Sequence, residues 1–331
     1  MIGIFRQKSP ANILLLLLFS LFIKAPIFLH PHVPVIHPKD GILFHTILRW
    51  MQPVGNNYPA LYSLLAFFIL FIQALWLNRI MNEQRMMQRQ NFLPAMSFML
   101  ITSLFPEWNY FSAPLLVNFA LLYLIGVSFQ MYNQNQGKGA IFNAGLAIGI
   151  ASFLFFPSVV FFLLALFSLM IMRPFRFNEW VICLLGATMP MYVYGGYLFF
   201  IDKLDFQRVL PFLNIKIPAL HQTIWIATST FLVVLPFLIG GYYVQGNLRR
   251  VLIQVRKSWS ILLIYLLLAL FVPFLNTANS FENWVIATIP LATFHSCTYF
   301  YPAKKWVPAF IFWLTTAFII AYQYLGPGWQ I

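Results

Sequence analysis

Eleven apolar segments follow one another along the chain, and short polar turns separate most of them. Many are close to 20 residues long, which is the length that an α-helix needs to cross the hydrocarbon core of a bilayer. The pattern therefore predicts an all-α fold, a polytopic bundle of about 11 transmembrane helices, with about 10 to 12 as the range. The segments are residues 11–29, 59–77, 92–105, 111–131, two within 140–172, 180–200, 223–243, 258–275, 284–300 and 307–325.

One apolar stretch, residues 140–172, is too long for a single untilted helix. Proline removes a backbone hydrogen-bond donor and tends to break a helix, so Pro157 divides this stretch into two segments. Two full spans and a half-crossing helical hairpin both fit the pattern.

The composition excludes a soluble enzyme. Hydrophobic residues make up 61% of the chain and charged residues 8%, whereas an ordinary soluble domain has about 25% charged residues. No repeat, linker or low-complexity tract interrupts the pattern, so residues 1–331 are interpreted as one integral membrane domain. Cys183 and Cys297 both lie in apolar segments, which indicates neither a disulfide framework nor a thiolate metal site.

The net charge of +13 is explained by where the basic residues fall. Cytoplasmic loops of membrane proteins are enriched in Lys and Arg, and with a cytoplasmic N-terminus 14 of the 20 basic residues fall in inner segments. We therefore expect a multi-pass protein with a cytoplasmic N-terminus, a periplasmic C-terminus and no nucleic-acid partner. The inner basic residues are Arg6, Lys8, Arg79, Arg85, Arg89, Lys138, Arg173, Arg176, Arg249, Arg250, Arg256, Lys257, Lys304 and Lys305.

The acidic residues show the opposite bias, since Asp40, Glu107, Asp202, Asp205 and Glu282 all fall on the outer side. A carboxylate can act as a general base, so the outer face is where we expect any catalytic site. Glu107 and Glu282 each stand near a tryptophan in a short outer turn. They are either water-exposed acids in interfacial anchors or lining residues of the same outer cleft as Asp40.

The first outer loop, residues 30–58, contains the most informative pattern. Residues 41–52 are predicted to form a helix that rests at the edge of the bilayer, because apolar residues cover most of its circumference. His45, Arg49 and Gln52 share one polar stripe of this helix. Arg49 is a natural donor to a lipid phosphate, and His45 is a second candidate for the same contact.

Asp40, just before that helix, has two interpretations. It is either a general base at the mouth of a lipid-facing cleft or the N-cap of the helix, where aspartate satisfies free backbone N–H groups. The histidines of the same loop do not have metal-ligand spacing, and prolines stiffen the segment. We therefore predict Asp40 as the catalytic residue, Arg49, His45, Glu107 and Glu282 as substrate-binding residues, and neither a metal nor a cofactor.

Polar residues inside the apolar segments are few. Lys24 stands near the outer end of the first segment, where a lysine can extend its amine toward water. Gln73, Asn118 and Asn143 are expected to bond to neighbouring helices. Gly145 and a second glycine four residues later form a GxxxG motif, which predicts close helix packing.

The order of these features resembles an uncharacterised family of bacterial inner-membrane proteins. The likeness is carried by the first loop with its acid and interfacial helix, by the apolar block from Asn143 to Pro157, and by the sequence Arg-Pro-Phe-Arg-Phe-Asn-Glu-Trp that ends at Trp180. That family is in turn similar in layout to the GT-C-type glycosyltransferases, which use polyprenyl-phosphate sugars. The resemblance implies the inner membrane as the location, Asp40 as the base, and a lipid-linked sugar as the substrate.

Three functions are compatible with these features. The leading hypothesis is a glycosyltransferase or glycan-handling protein that uses a polyprenyl-phosphate-linked sugar on the periplasmic side. A non-enzymatic membrane subunit or assembly factor, with a membrane protein partner, is the alternative, because the spans contain few titratable groups. A transporter or lipid flippase is the second alternative, although the spans contain no obvious ion relay.

Overall fold

A computed structural model describes residues 2–37, 40–132, 137–203, 223–275 and 281–326. Of the described residues 81% are helical, and none of them lies in a β-strand. The helices are α1 (Ile2–Phe5), α2 (Ala11–Ile23), α3 (Ala25–Leu29), α4 (Ile42–Gly55), α5 (Ala60–Glu83), α6 (Leu93–Thr102), α7 (Ala113–Gln130), α8 (Lys138–Leu154), α9 (Phe161–Met172), α10 (Phe177–Phe200), α11 (Ile224–Asn247), α12 (Ile253–Phe271), α13 (Thr288–Phe300) and α14 (Trp306–Leu325).

Each of the eleven apolar segments contains a helix, and six helices in the described ranges are long and apolar enough to cross a membrane. These are α5, α7, α10, α11, α12 and α14. Shorter apolar helices, such as α6 with 10 residues and α9 with 12, fill the remaining segments. The apolar helices indicate a membrane protein, whereas a count of about 11 spans stays a prediction.

The bundle has two chemically different ends, which we call the basic end and the acidic end. At the basic end, the Arg6 guanidinium donates to the Tyr299 carbonyl at 2.8 Å, and Gln254 donates to Gln84 at 3.1 Å. The helix connections bring all 14 basic residues of the predicted inner set to this end. Asp40 and Glu282 lie at the opposite, acidic end. Which end faces the cytoplasm stays a prediction.

The stretch 140–172 forms an antiparallel pair of helices, α8 and α9. At the basic end, Gly137 before α8 lies against the Arg173 side chain after α9. The chain turns at Phe155, which is extended and precedes a short 3-10 helix containing Pro157. Because Phe155 pairs with Asp40 and the Gly41 N–H donates to the Leu154 carbonyl at 2.8 Å, the turn reaches the acidic end.

Close contact between α8 and α10 depends on glycine. A Cβ atom on Gly145 would stand 2.1 Å from the Cys183 carbonyl oxygen, and one on Gly186 would stand 2.2 Å from that of Phe142. Such distances are shorter than any real carbon–oxygen contact, so each glycine allows the facing backbone to approach. The close packing predicted from the GxxxG motif is confirmed.

Candidate functional site

Six polar side chains from three separate segments meet at the acidic end. We call them the acidic-end cluster, and they are His32, His37, Asp40, Glu107, Tyr110 and Glu282. The loop before α4 carries the first three, the turn after α6 carries Glu107 and Tyr110, and the 3-10 helix Phe281–Ala287 carries Glu282.

Aromatic packing joins two of these segments. The Trp108 indole N–H donates to the Phe281 carbonyl at 2.8 Å, and the rings of Phe105 and Phe281 stack with centroids 5.4 Å apart. Trp108 is therefore buried and connects the two segments, and it is not an exposed interfacial anchor. The contacts of Trp108 and Phe105 with Phe281 place Glu107 beside the start of the segment that carries Glu282.

His37 and Glu282 form an ion pair when the imidazole is protonated. The His37 Nε2 lies 3.2 Å from a Glu282 carboxylate oxygen, and both side chains are largely buried. The hydrogen bond to Glu282 raises the pKa of His37 above its ordinary value. His37 therefore holds its proton more firmly than a solvated histidine, and it contributes a positive charge beside two carboxylates.

Asp40 is held by the same loop. Its carboxylate accepts a hydrogen bond of 2.7 Å from the His37 backbone N–H. Burial raises the pKa of Asp40 to about 6, and the nearby charge of Glu282 also raises it, against the lowering effects of His37. A carboxylate with this pKa can both accept and release a proton near neutral pH.

The interpretation of Asp40 as the N-cap of α4 is wrong. The cap position is Gly41, and no side chain caps the helix. Gly41 is required there because a Cβ would stand 1.9 Å from the Phe153 carbonyl oxygen. Asp40 consequently stands one residue too early to cap, and its carboxylate bonds back to His37 instead.

Glu107 is half-buried in the cluster, as Asp40 is. Burial raises the pKa of Glu107, while hydrogen bonds from the backbone N–H groups of Phe281 and Glu282 act in the opposite direction. The negative charge of Glu282 adds to the increase. Glu282 thus influences both Asp40 and Glu107 electrostatically, and Glu107 is not a simple water-exposed acid.

Three neighbours of the acids were not predicted from the sequence. The rings of His32 and Tyr110 stack with centroids 4.1 Å apart. Burial lowers the pKa of His32 and raises the pKa of Tyr110 to about 12, which favours the neutral form of each side chain. The third neighbour is His37, whose Nε2 lies 3.2 Å from a Glu282 carboxylate oxygen. The only sequence signal for His32 and His37 as neighbours of the acids was the density of polar residues in the first outer loop.

Lys24 does not extend toward water as predicted. Its side chain is 0% exposed, and its amine donates to Thr102 at 2.9 Å and to the Asn109 side chain. Asn109 belongs to the turn that carries Glu107. The buried amine of Lys24 therefore holds this turn in place through its hydrogen bond to Asn109. Lys24 lies between α2 and α3, where α6 and the turn after it cover the side chain and separate it from the surface.

Arg49 and His45 lie on α4, apart from the buried acids. Phe44 and Leu48 face the bundle and are buried, while Arg49 is exposed and His45 is half-buried. Among the described residues, neither side chain has a hydrogen bond to the acidic-end cluster. Helix α4 contains Pro53 and ends at Gly55, three residues beyond the end predicted at residue 52.

No group of three or more His, Cys, Asp and Glu residues within the described ranges could hold a metal ion. No protein-family model matches the chain, and neither a curated protein nor a solved structure is significantly similar to it.

Proposed function

We propose that the protein transfers a sugar from a polyprenyl-phosphate carrier at its acidic end, with Asp40 as the general base. The observation that carries this proposal is the raised pKa of Asp40, about 6, within a cluster of titratable groups beside an amphipathic surface helix. An efficient general base has a pKa near the pH at which it works.

The proposed reaction is a displacement at the anomeric carbon of the sugar. Asp40 takes the proton of an acceptor hydroxyl, and the acceptor oxygen forms a bond to the anomeric carbon. The bond from that carbon to the phosphate oxygen breaks, and its electron pair leaves with the polyprenyl phosphate. His37 stabilises the ionised form of Asp40 before the proton is transferred.

Helix α4 supplies the contact for the phosphate in this proposal. Arg49 lies seven residues beyond the first residue of α4, about 10 Å along the helix axis. Helical side chains lean toward the N-terminus, which is the end that follows Asp40, and His45 lies one turn nearer. The first-turn N–H groups of α4, which no side chain caps, are additional donors to an anion.

The proposed phosphate contact predicts a specific kinetic effect. Arg49→Gln should raise the concentration of lipid-linked sugar needed for half-maximal transfer about tenfold or more, because a charge-assisted hydrogen bond is lost. Transfer is measured as release of labelled sugar from its carrier by the purified protein in lipid vesicles. Arg250→Gln, an exposed arginine of the basic end, is the matched control and should leave this concentration unchanged. An equal response of the two variants would remove Arg49 from the site.

A non-enzymatic membrane subunit or assembly factor is the alternative. It is supported by the structural use of Glu107 and Glu282, which join three segments through hydrogen bonds. Under this alternative, the purified protein releases no sugar from any polyprenyl carrier, and a stable membrane protein co-purifies with it.

A further inference from the structure

A long groove lies between α5, α7 and α8, away from the acidic-end cluster. It consists of two adjoining cavities of about 650 and 480 Å³, which share Trp76, Tyr123 and Asn143 as lining residues. We call it the α5–α7–α8 groove. Its larger cavity opens at the basic end, beside Arg79 and Glu83.

The sequence explains why this groove is open. Small residues at Ala120, Gly126, Gly139 and Ala147 line it, so α7 and α8 leave space between their facing surfaces. A Cβ on Gly139 would meet no atom within 4 Å. Helix α8 instead makes its close backbone contacts with α10, on its other side.

The lining changes from polar to apolar along the groove. Arg79, Glu83 and Gln130 line the cavity at the basic end, and the cavity nearer the acidic end is lined by residues such as Leu116, Ile150 and Leu154. Asn143, which is exposed and lines both cavities, has no hydrogen-bond partner among the described residues, contrary to the expectation that it bonds to a neighbouring helix. A ligand that matches this gradient has a polar head and an apolar tail.

The length of the groove suits a membrane lipid. Its lining on α8 extends from Gly139 to Leu154, a separation of 15 positions that corresponds to a rise of about 22 Å. One leaflet contributes about 15 Å of hydrocarbon, half of the bilayer core. The groove can therefore take an acyl chain of one leaflet together with part of the head group.

The charges at its mouth form a matched pair. The Arg79 Nε donates to a Glu83 carboxylate oxygen at 2.6 Å, and both side chains are exposed. The remaining guanidinium N–H groups can donate to a phosphate, because this bond uses only one of five. Glu83 can accept from a cationic amine. A purely anionic head group would satisfy Arg79 but would be repelled by Glu83.

From this complementarity we infer that the α5–α7–α8 groove binds a phospholipid with an amine-bearing head group, with the phosphate on Arg79 and the amine on Glu83. The acyl chain lies against the apolar surface of α7 and α8. This site is separate from the proposed sugar-transfer site and does not depend on it.

Lipid binding by the purified full-length protein tests the inference. The probes are phosphatidylethanolamine and phosphatidylglycerol, titrated separately onto delipidated protein and counted by native mass spectrometry. The wild-type protein should bind phosphatidylethanolamine more tightly. Arg79→Gln should weaken this binding about tenfold or more, and Glu83→Gln should remove the preference for phosphatidylethanolamine over phosphatidylglycerol.

Arg249→Gln is the matched control, because Arg249 is exposed at the same end of the bundle but does not line the groove. It should bind both lipids as the wild type does. Equal or tighter binding of phosphatidylglycerol by the wild type would overturn the inference in favour of an anionic lipid. No retained lipid, or equal responses of Arg79→Gln and Arg249→Gln, would overturn it altogether.

Discussion

Replacing Asp40 with asparagine is expected to lower the rate of sugar transfer by about 10²- to 10⁴-fold, the usual contribution of a general base. Asparagine keeps the shape of the side chain and can still accept the hydrogen bond from the His37 backbone N–H. The loop should therefore keep its conformation while it loses the group that takes the proton. The rate is measured at saturating lipid-linked sugar, so that a change in binding does not contribute.

Asp202→Asn is the matched control for this substitution. Asp202 is exposed at the acidic end, and its backbone φ of 51° is one that asparagine adopts readily. The control should transfer sugar at the wild-type rate. If Asp40→Asn also kept that rate, Asp40 would have no part in the reaction.

Replacing Gly145 with alanine is expected to lower the free energy of unfolding by about 1–3 kcal/mol, the usual cost of overpacking. The new Cβ would stand 2.1 Å from the Cys183 carbonyl oxygen, so α8 and α10 must separate. The loss is reported by the midpoint temperature of unfolding of the purified protein in detergent.

Gly196→Ala is the matched control, because Gly196 lies in α10 where a Cβ meets no atom within 4 Å. Alanine favours the helix over glycine there, so this variant should be at least as stable as the wild type. Equal stability of the two alanine variants would contradict the tight packing of α8 on α10.

The lengths of the apolar runs were sufficient to predict the helices, because burial in a bilayer or in the bundle demands long apolar runs. They were less informative about the ends of the helices. Helix α12 begins at Ile253, before the apolar segment, so that Arg256 and Lys257 at the basic end lie within the helix. Several helices are also shorter than a full span, which hydropathy alone does not reveal.

The candidate site was predictable only in part. Asp40, Glu107 and Glu282 were selected by charge bias, and the structure brings them together. Arg49 and His45 were selected by helical periodicity, which fixes a shared stripe but not its distance from other segments. The pairing of His37 with Glu282 joins residues 245 positions apart, and a single sequence contains no local signal for such a contact. The burial of Lys24 depends on α6 in the same way.

The pH dependence of sugar release by the wild-type protein is the most direct test of the central claim, that Asp40 acts as a base at the acidic end. A base must be ionised to take a proton, and the pKa of Asp40 is raised to about 6. Release should therefore fall as the pH is lowered, with half of the maximal rate near pH 6. A rate that stays constant between about pH 4 and about pH 8, or no release at any pH, would contradict the account.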